Sequence, residues 1–303
     1  MTPKPNAKPH LSIVIASWNG MAYLRECLTS LCGQFEAAQV EVIVATNFDG
    51  GAAGMLAKEF PGVKHLALSA TATVPVLRSA GIAEATGEII ALAEDHCTFD
   101  ENWSAEIRKA HELPYAVIGG AVENASRQRA LDWAMFFFDY GRYMPPNTAG
   151  LVNALSGNNV SYKGAALGEV RECFRDGFFE TFVHGELARR GHKLYLAPSV
   201  IVHHRKTYKF RSAFVQCYHL ARSFAARRVP RVALGKRLLF GLSSLVLPVL
   251  LPARIAVRTL RKRRHFKELV WAFPLLVLLM ASWSFGEFCG YLFGEGASED
   301  KWK

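Results

Sequence analysis

Four short apolar runs separated by helical stretches constrain the fold of this chain more than any other feature. They are residues 11–17 (LSIVIAS), 40–45 (VEVIVA), 63–68 (VKHLAL) and 89–93 (IIALA). Apolar side chains at successive positions suit strands buried on both faces of a parallel sheet. Between the runs, Tyr23, Leu24, Cys27, Leu28 and Leu31 recur at helical spacing, residues 55–60 read as a short helix, and residues 76–85 as a helix ending before Gly87. Strand alternating with helix implies βαβ units and a mostly parallel sheet of nucleotide-binding type. No Gly-x-Gly-x-x-Gly follows any of these strands, and there is no Gly-rich Lys loop. Both absences count against a dinucleotide-dependent oxidoreductase and a phosphate-loop NTPase.

The fourth run delivers Glu94, Asp95 and His96 at its carboxyl end. Open α/β sheets bind ligands there, and two acids with an imidazole can hold a divalent cation. Beyond this cluster, residues 103–111 read as a helix and 116–122 as a strand. Residues 131–143 (LDWAMFFFDYGRY) read as an aromatic core helix, with a lipid-facing surface as the alternative, and 155–161 as a short polar-tipped segment. Residues 178–190 read as a helix stopped by Gly191, and 193–202 as a strand broken near Pro198 that leads into His203 and His204. The six cysteines show no Cys-x-x-Cys pair or zinc spacing, so reduced core thiols are expected.

Charge is uneven along the chain. Residues 1–204 carry 17 Lys/Arg and 21 Asp/Glu, whereas residues 205–267 carry 17 Lys/Arg and no acid. Dense positive charge suits nucleic acid or anionic lipid, and the interleaved sequence favours lipid. Residues 238–257 contain one charge, Arg254, and residues 269–293 contain only Glu287. The second run is long enough for a bilayer crossing of about 20 residues, and the first reaches that length. Residues 208–228 place Phe210, Phe214, Cys217, Tyr218, Ala221 and Phe224 opposite Arg211, Arg222 and Arg227, an amphipathic basic helix for the headgroup layer. A full crossing by 238–257 would export the basic residues 258–267, and Pro248 and Pro252 would interrupt its helix. The expectation is therefore a kinked re-entrant or interfacial segment at 238–257, one crossing at 269–293, and a tail on the far side. The polar, Pro-rich start has no signal-type apolar segment, so the N-terminal part is expected to stay in the cytoplasm.

Taken in order, Ser12 to Asn19 (SIVIASWN) with Leu24 to Leu31 (LRECLTSL), Glu41 to Ala45 (EVIVA), Arg78 with Gly81, Gly87 to Ile90 (GEII), the Glu94-Asp95-His96 cluster with Trp103, and Ser156-Gly157-Asn158-Asn159 form an ordered set. This set resembles the family 2 glycosyltransferases, an inverting class with the GT-A fold, over residues 11 to about 205. The resemblance implies a nucleotide-sugar donor bound along the first half of the sheet, contacted by Ser17, Asn19, Asp49, Arg78, Glu94 and Asp95. It also implies a divalent metal, Mn²⁺ or Mg²⁺, at the acidic cluster. Glu94 and His96 stand where the family has two aspartates, so the expected ligands are Asp95, His96 and one of the terminal histidines, His204. An imidazole ligand favours Mn²⁺ over the harder Mg²⁺. The family's acid after the second strand is displaced here to Asp49, which leaves the base identity open.

For the catalytic base, the resemblance points to the helix that opens at Glu180, which offers one acid where the family has two. His184, one helical turn on, shares its face and is expected to orient it. Glu186 is the other acid on that helix. Gly157, Asn158 and Asn159, with Gln216 and Arg222, align with acceptor-side positions. The processive Gln-x-x-Arg-Trp form is absent, so transfer of a single sugar is expected.

The resulting expectation is a cytoplasmic GT-A nucleotide-diphospho-sugar transferase-like α/β domain over residues 1–206, an interface helix at 207–232, and membrane helices within 233–303. The chain would sit at a bacterial inner membrane, acting on a lipid or membrane-associated glycan of the cell envelope, with no nucleic-acid partner. Two other classes stay open: a degenerate nucleotide-sugar-binding membrane partner, and a sugar nucleotidyltransferase. The latter would need a Gly-rich basic loop after its first strand, which Ser17-Trp18-Asn19-Gly20 does not supply.

Overall fold

The computed structural model describes residues 10–35, 39–48, 50–229, 232–298 and 301. In chain order its elements are β1 (Leu11–Ser17), α1 (Met21–Phe35), β2 (Val40–Thr46), α2 (Ala52–Glu59), β3 (Val63–Ala67), α3 (Val74–Glu84), β4 (Ile89–Glu94), β5 (Cys97–Phe99), α4 (Trp103–Ala110), β6 (Val117–Asn124) and α5 (Ala130–Asp139). There follow β7 (Gly150–Val152), β8 (Val160–Lys163), α6 (Gly164–Glu169), a 3₁₀ turn (Arg171–Phe174), α7 (Glu180–Arg189), β9 (Leu194–His204), α8 (Phe210–Arg228), α9 (Leu234–Ser244), α10 (Leu247–Lys262) and α11 (Phe266–Phe293). These divide into two compact units. The first comprises residues up to Glu123 and Tyr143–Arg205; the second comprises Asn124–Arg142 and the chain from Lys206 onward.

The first unit is built on one sheet of order β3-β2-β1-β4-β8-β6-β9-β5, with β7 also on β9. The strands of the four apolar runs pair in parallel, with Ile13 opposite Val42 and Ala91, and every residue of β1 and β4 is buried. From β4 onward the sense alternates, since β8 is antiparallel to both β4 and β6. The chain moves from β1 out to β2 and β3, then returns to the other side of β1 as β4. That reversal opens a crevice at the carboxyl ends of β1 and β4, where Trp18 and the Glu94-Asp95-His96 cluster stand. Strand β9 runs unbroken through Pro198, which lies between the part paired with β7 (Leu194 to Leu196) and the part paired with β5 (Val202 to His204). Four cysteines are buried as expected, whereas Cys32 and Cys173 are exposed.

The second unit packs α5, α8, α9 and α10 around α11. The aromatic segment forms α5, with Trp133, Phe136 and Phe137 buried. Helices α8 and α11 run in the same direction: the Ser282 hydroxyl donates to Phe214 O (2.6 Å), and Cβ atoms at Gly286 and Gly290 would overlap the carbonyls of Tyr218 and Arg222. Helix α9 runs the opposite way, with Arg237 Nε donating to Tyr291 O (2.7 Å) and Ser284 Oγ to Ser244 O (2.8 Å). Helix α11 is long and apolar enough to cross a membrane; α9 and α10 pass the same test only together, bent by 58° at their break. Pro248 falls in the first turn of α10, where its missing N–H is harmless, while Pro252 lies inside that helix. The α9–α10 pair thus begins beside the end of α11 and packs along it.

A Cβ at Gly120 would overlap Val200 O and the Asn159 amide, whereas one at Gly54 on α2 meets nothing within 4 Å. Gly120→Ala should therefore destabilise the protein by about 3 kcal/mol, while Gly54→Ala should stabilise it by about 0.5 kcal/mol. Urea unfolding of both variants checks this, and equal stabilities would contradict the packing.

Candidate active site

Asp95 is almost fully buried and accepts four hydrogen bonds from the β1–α1 turn. Its Oδ2 accepts from Ser17 Oγ (2.9 Å), Trp18 N (2.9 Å) and Asn19 N (2.8 Å), and its Oδ1 accepts from Asn19 Nδ2 (2.6 Å). Turn N–H groups need such an acceptor once α1 begins, and a carboxylate holds them more strongly than a neutral group. Asp95 therefore fixes the rim of the crevice, and Ser17 and Asn19 are the residues it fixes.

The adjacent carboxylate does something different. Arg78 on α3 is 6% exposed and bridges two acids from distant parts of the chain. Its Nη2 donates to Glu94 Oε1 at the end of β4, and its Nη1 donates to Glu180 Oε2 (2.8 Å) at the first residue of α7. The two carboxylates hold the guanidinium firmly charged against the opposing effect of its burial. Nε of Arg78 is buried with no acceptor among the described residues. Gly157 makes the bridge possible, since a Cβ there would lie 2.8 Å from Nη2 and 2.9 Å from Glu180 Cδ. Glu180 is the accessible member, with 27% of its side chain exposed against 8% for Glu94.

His96 completes the cluster. Its Nε2 lies 3.1 Å from Glu94 Oε2 and its Nδ1 3.1 Å from Asn19 Nδ2, so the assignment consistent with both is a neutral ring donating to Glu94 and accepting from Asn19. Trp18 and His204 pack edge-on against the ring, with centroids 5.2 and 4.8 Å away. A divalent cation needs free lone pairs. Here Asp95 already accepts four hydrogen bonds, three of them on Oδ2, each oxygen of Glu94 is engaged by Arg78 or His96, and the lone pair of His96 goes to Asn19. Among the described residues no three His, Cys, Asp or Glu side chains are grouped to hold a metal. As they stand, these side chains do not fit the expected metal.

The other expected residues are distributed as follows. Asp49 lies outside the described residues. Asn159 is a buried structural pin: its Oδ1 accepts from Trp103 Nε1 (2.9 Å), and its Nδ2 donates to Ala121 O and Val200 O. Asn158 is buried against Ser156 Oγ (2.6 Å) and Cys97 Sγ (3.5 Å). His184 is turned to the Tyr162 hydroxyl (2.8 Å), while Glu180 is held by Arg78, so the two do not meet as their helical spacing predicts. Glu186 is tied to Arg189 and Arg190. Of the terminal histidine pair, His203 meets Asp100 (2.6 Å) and His204 meets His96, because adjacent strand residues face opposite sides. Gln216 and Arg222 belong to the second unit, where Arg222 Nε donates to Gly294 O (2.9 Å) and so closes the end of α11.

Two contributors lie outside the sequence expectations. Tyr162 reaches His184, and burial, then the nearby Glu180 charge, pushes its hydroxyl pKa well up. Trp18 walls the crevice beside His96. The tryptophan was open to detection as the residue right after β1, whereas nothing in the sequence marks a strand tyrosine as the partner of a helix histidine.

Comparison with known proteins agrees with this fold. The sequence model of glycosyl transferase family 2 matches residues 12–170. No curated protein sequence matches. Among solved structures, the mannosyltransferase PcManGT from Pyrobaculum calidifontis, in complex with GDP-Man and Mn²⁺, superposes with a TM-score of 0.58 at 14% identity, covering 92% of this chain and 88% of that one. The likeness shows the fold, a GT-A α/β sheet flanked by helices.

Burial, then the charge of Arg78, lowers the His184 pKa to about 4; burial, then Lys163, lowers that of His111 to about 4 as well. Unfolded histidines titrate near about 6.5, so between these values the unfolded chain binds protons that the folded chain refuses. Stability is fully present above about pH 6.5 and falls as pH drops toward 4, by up to about 1.4 kcal/mol per pH unit for each histidine. Urea unfolding at pH 7, 6 and 5 should show that slope, and His184→Phe should reduce it; a flat profile would contradict the burial.

Proposed function

Since the chain belongs to glycosyl transferase family 2, we propose that it moves one sugar from a nucleoside-diphosphate donor to an acceptor hydroxyl with inversion. The donor would lie in the crevice at the ends of β1 and β4, its diphosphate toward Arg78. The observation that carries this reading is the position of Glu180. It is the partly exposed carboxylate of the crevice, held by Arg78 within one guanidinium of Glu94. In the proposed step Glu180 takes the proton of the acceptor hydroxyl as that oxygen attacks the anomeric carbon. The bond from that carbon to the diphosphate oxygen breaks, and the nucleoside diphosphate leaves with the electron pair. Arg78 stabilises the charge that develops on the leaving group.

The acceptor proposed is a lipid or membrane-associated glycan of a bacterial cell envelope, reached with the protein held at the cytoplasmic face of the inner membrane. Support comes from the second unit, which exposes large apolar side chains such as Leu239, Leu242 and Val249 on α9 and α10. Monomeric soluble proteins rarely leave such contiguous surface uncovered.

Wild-type protein incubated with a panel of nucleotide sugars and a lipid extract should release nucleoside diphosphate. Glu180→Gln should lower kcat by about 100-fold or more while leaving donor affinity within a few-fold. Retained turnover in that variant would remove Glu180 as the base, and a wild-type protein that binds donor without turnover would favour the non-catalytic partner.

A further inference from the structure

The contacts inside the helical unit bear on how it meets a membrane. Helix α11 has 28 residues and is therefore about 42 Å long, enough for a crossing whose midpoint falls near residues 279 and 280. Its neighbour α8 runs parallel to it in fixed register: Phe214 lies beside Ser282, Tyr218 beside Gly286, and Arg222 beside Gly290. Continuing that register back by one turn places Phe210 and Arg211, the start of α8, level with the middle of α11. Arg211 and Lys209 are exposed, and Lys206–Lys209 is irregular backbone. If α11 crossed a bilayer, these cations and this non-helical segment would stand at the hydrocarbon midplane. Charged side chains are costly there, and lipid-exposed irregular backbone is not tolerated.

Other contacts agree. The polar side chains of α11 are used inside the bundle: Glu287 accepts from Arg228 Nη1 (3.1 Å) and from Trp283 Nε1 (3.0 Å), and Ser284 meets α9. What α11 and the α9–α10 pair turn outward is mostly apolar, from Leu239 and Val249 on the pair to Val270, Leu278 and Phe285 on α11. Arg254 inside α10, and Arg261, Arg263 and Lys267 at the corner between α10 and α11, are exposed and have no acidic partner among the described residues. An apolar side with cations at its edge matches an anionic headgroup layer over acyl chains.

We infer that the helical unit is monotopic: α11 lies in the plane of the membrane, and the apolar side formed with α9 and α10 is sunk into a single anionic leaflet. This inference rests on the membrane attachment proposed above. It replaces the sequence expectation of one crossing at 269–293 and puts the C-terminal tail on the same face as the first unit.

The test uses the full chain carrying a C-terminal tag, produced in a bacterium. The tag should resist added protease in intact spheroplasts and be cleaved in inside-out membrane vesicles. Cleavage in intact spheroplasts would overturn the inference while leaving membrane attachment in place. Recovery of the protein in the soluble fraction would overturn both. A second reading, independent of the tag, comes from spin labels on Val270→Cys, Leu278→Cys and Phe285→Cys in purified protein reconstituted in vesicles containing phosphatidylglycerol. A flat helix gives the three labels depths within about 5 Å of one another, under the one-turn rise of a helix. A crossing helix places Leu278→Cys deeper than Val270→Cys by about 10 Å, and that pattern would also overturn the inference.

Discussion

The crevice depends on one buried cation. Arg78 is taken out of water on α3 and returns that cost only through Glu94 and Glu180, which come from β4 and α7. Removing one partner of a buried ion pair costs about 3–5 kcal/mol, so each of the three elements is placed by the other two. Gly157 belongs to the same constraint, because any side chain there would push the guanidinium away. The bridge also gives the two acids unequal parts. Glu94 is closed in by Arg78 and His96, while Glu180 keeps an open face on which an acceptor hydroxyl can be met.

Asp95 shows how residues side by side in sequence divide structural from chemical work. It sits between Glu94 and His96, yet its four hydrogen bonds all go to Ser17, Trp18 and Asn19. The turn after β1 is thereby locked to the end of β4, and the crevice at the strand reversal has a rigid rim. With the lone pair of His96 on Asn19 as well, the cluster is organised as a hydrogen-bonded wall around Arg78 and not as a set of open metal ligands.

Much of this was legible in the sequence, for identifiable reasons. Apolar runs such as 11–17 and 89–93 can be satisfied only inside a sheet, so the parallel strands and the acidic cluster at their ends were readable from pattern alone. Pairings over long separations were not: nothing local to residue 78 or residue 180 says that they meet, and strand periodicity cannot show which of His203 and His204 turns inward. Asn158 and Asn159 look like ligand-binding amides in sequence but serve to pin Trp103, Cys97 and the β6–β9 backbone. The apolar stretch at 269–293 was correctly read as helix, yet length and hydropathy alone do not distinguish a helix that crosses lipid from one that lies along it.

The central claim is that Arg78 couples the two carboxylates of the crevice. The most direct measurement is a double-mutant cycle on unfolding free energy with Arg78→Met and Glu94→Gln, singly and together, in the purified full chain. A coupling of about 2 kcal/mol or more is expected for a buried, hydrogen-bonded pair. Additive effects, with a coupling under about 0.5 kcal/mol, would contradict the account.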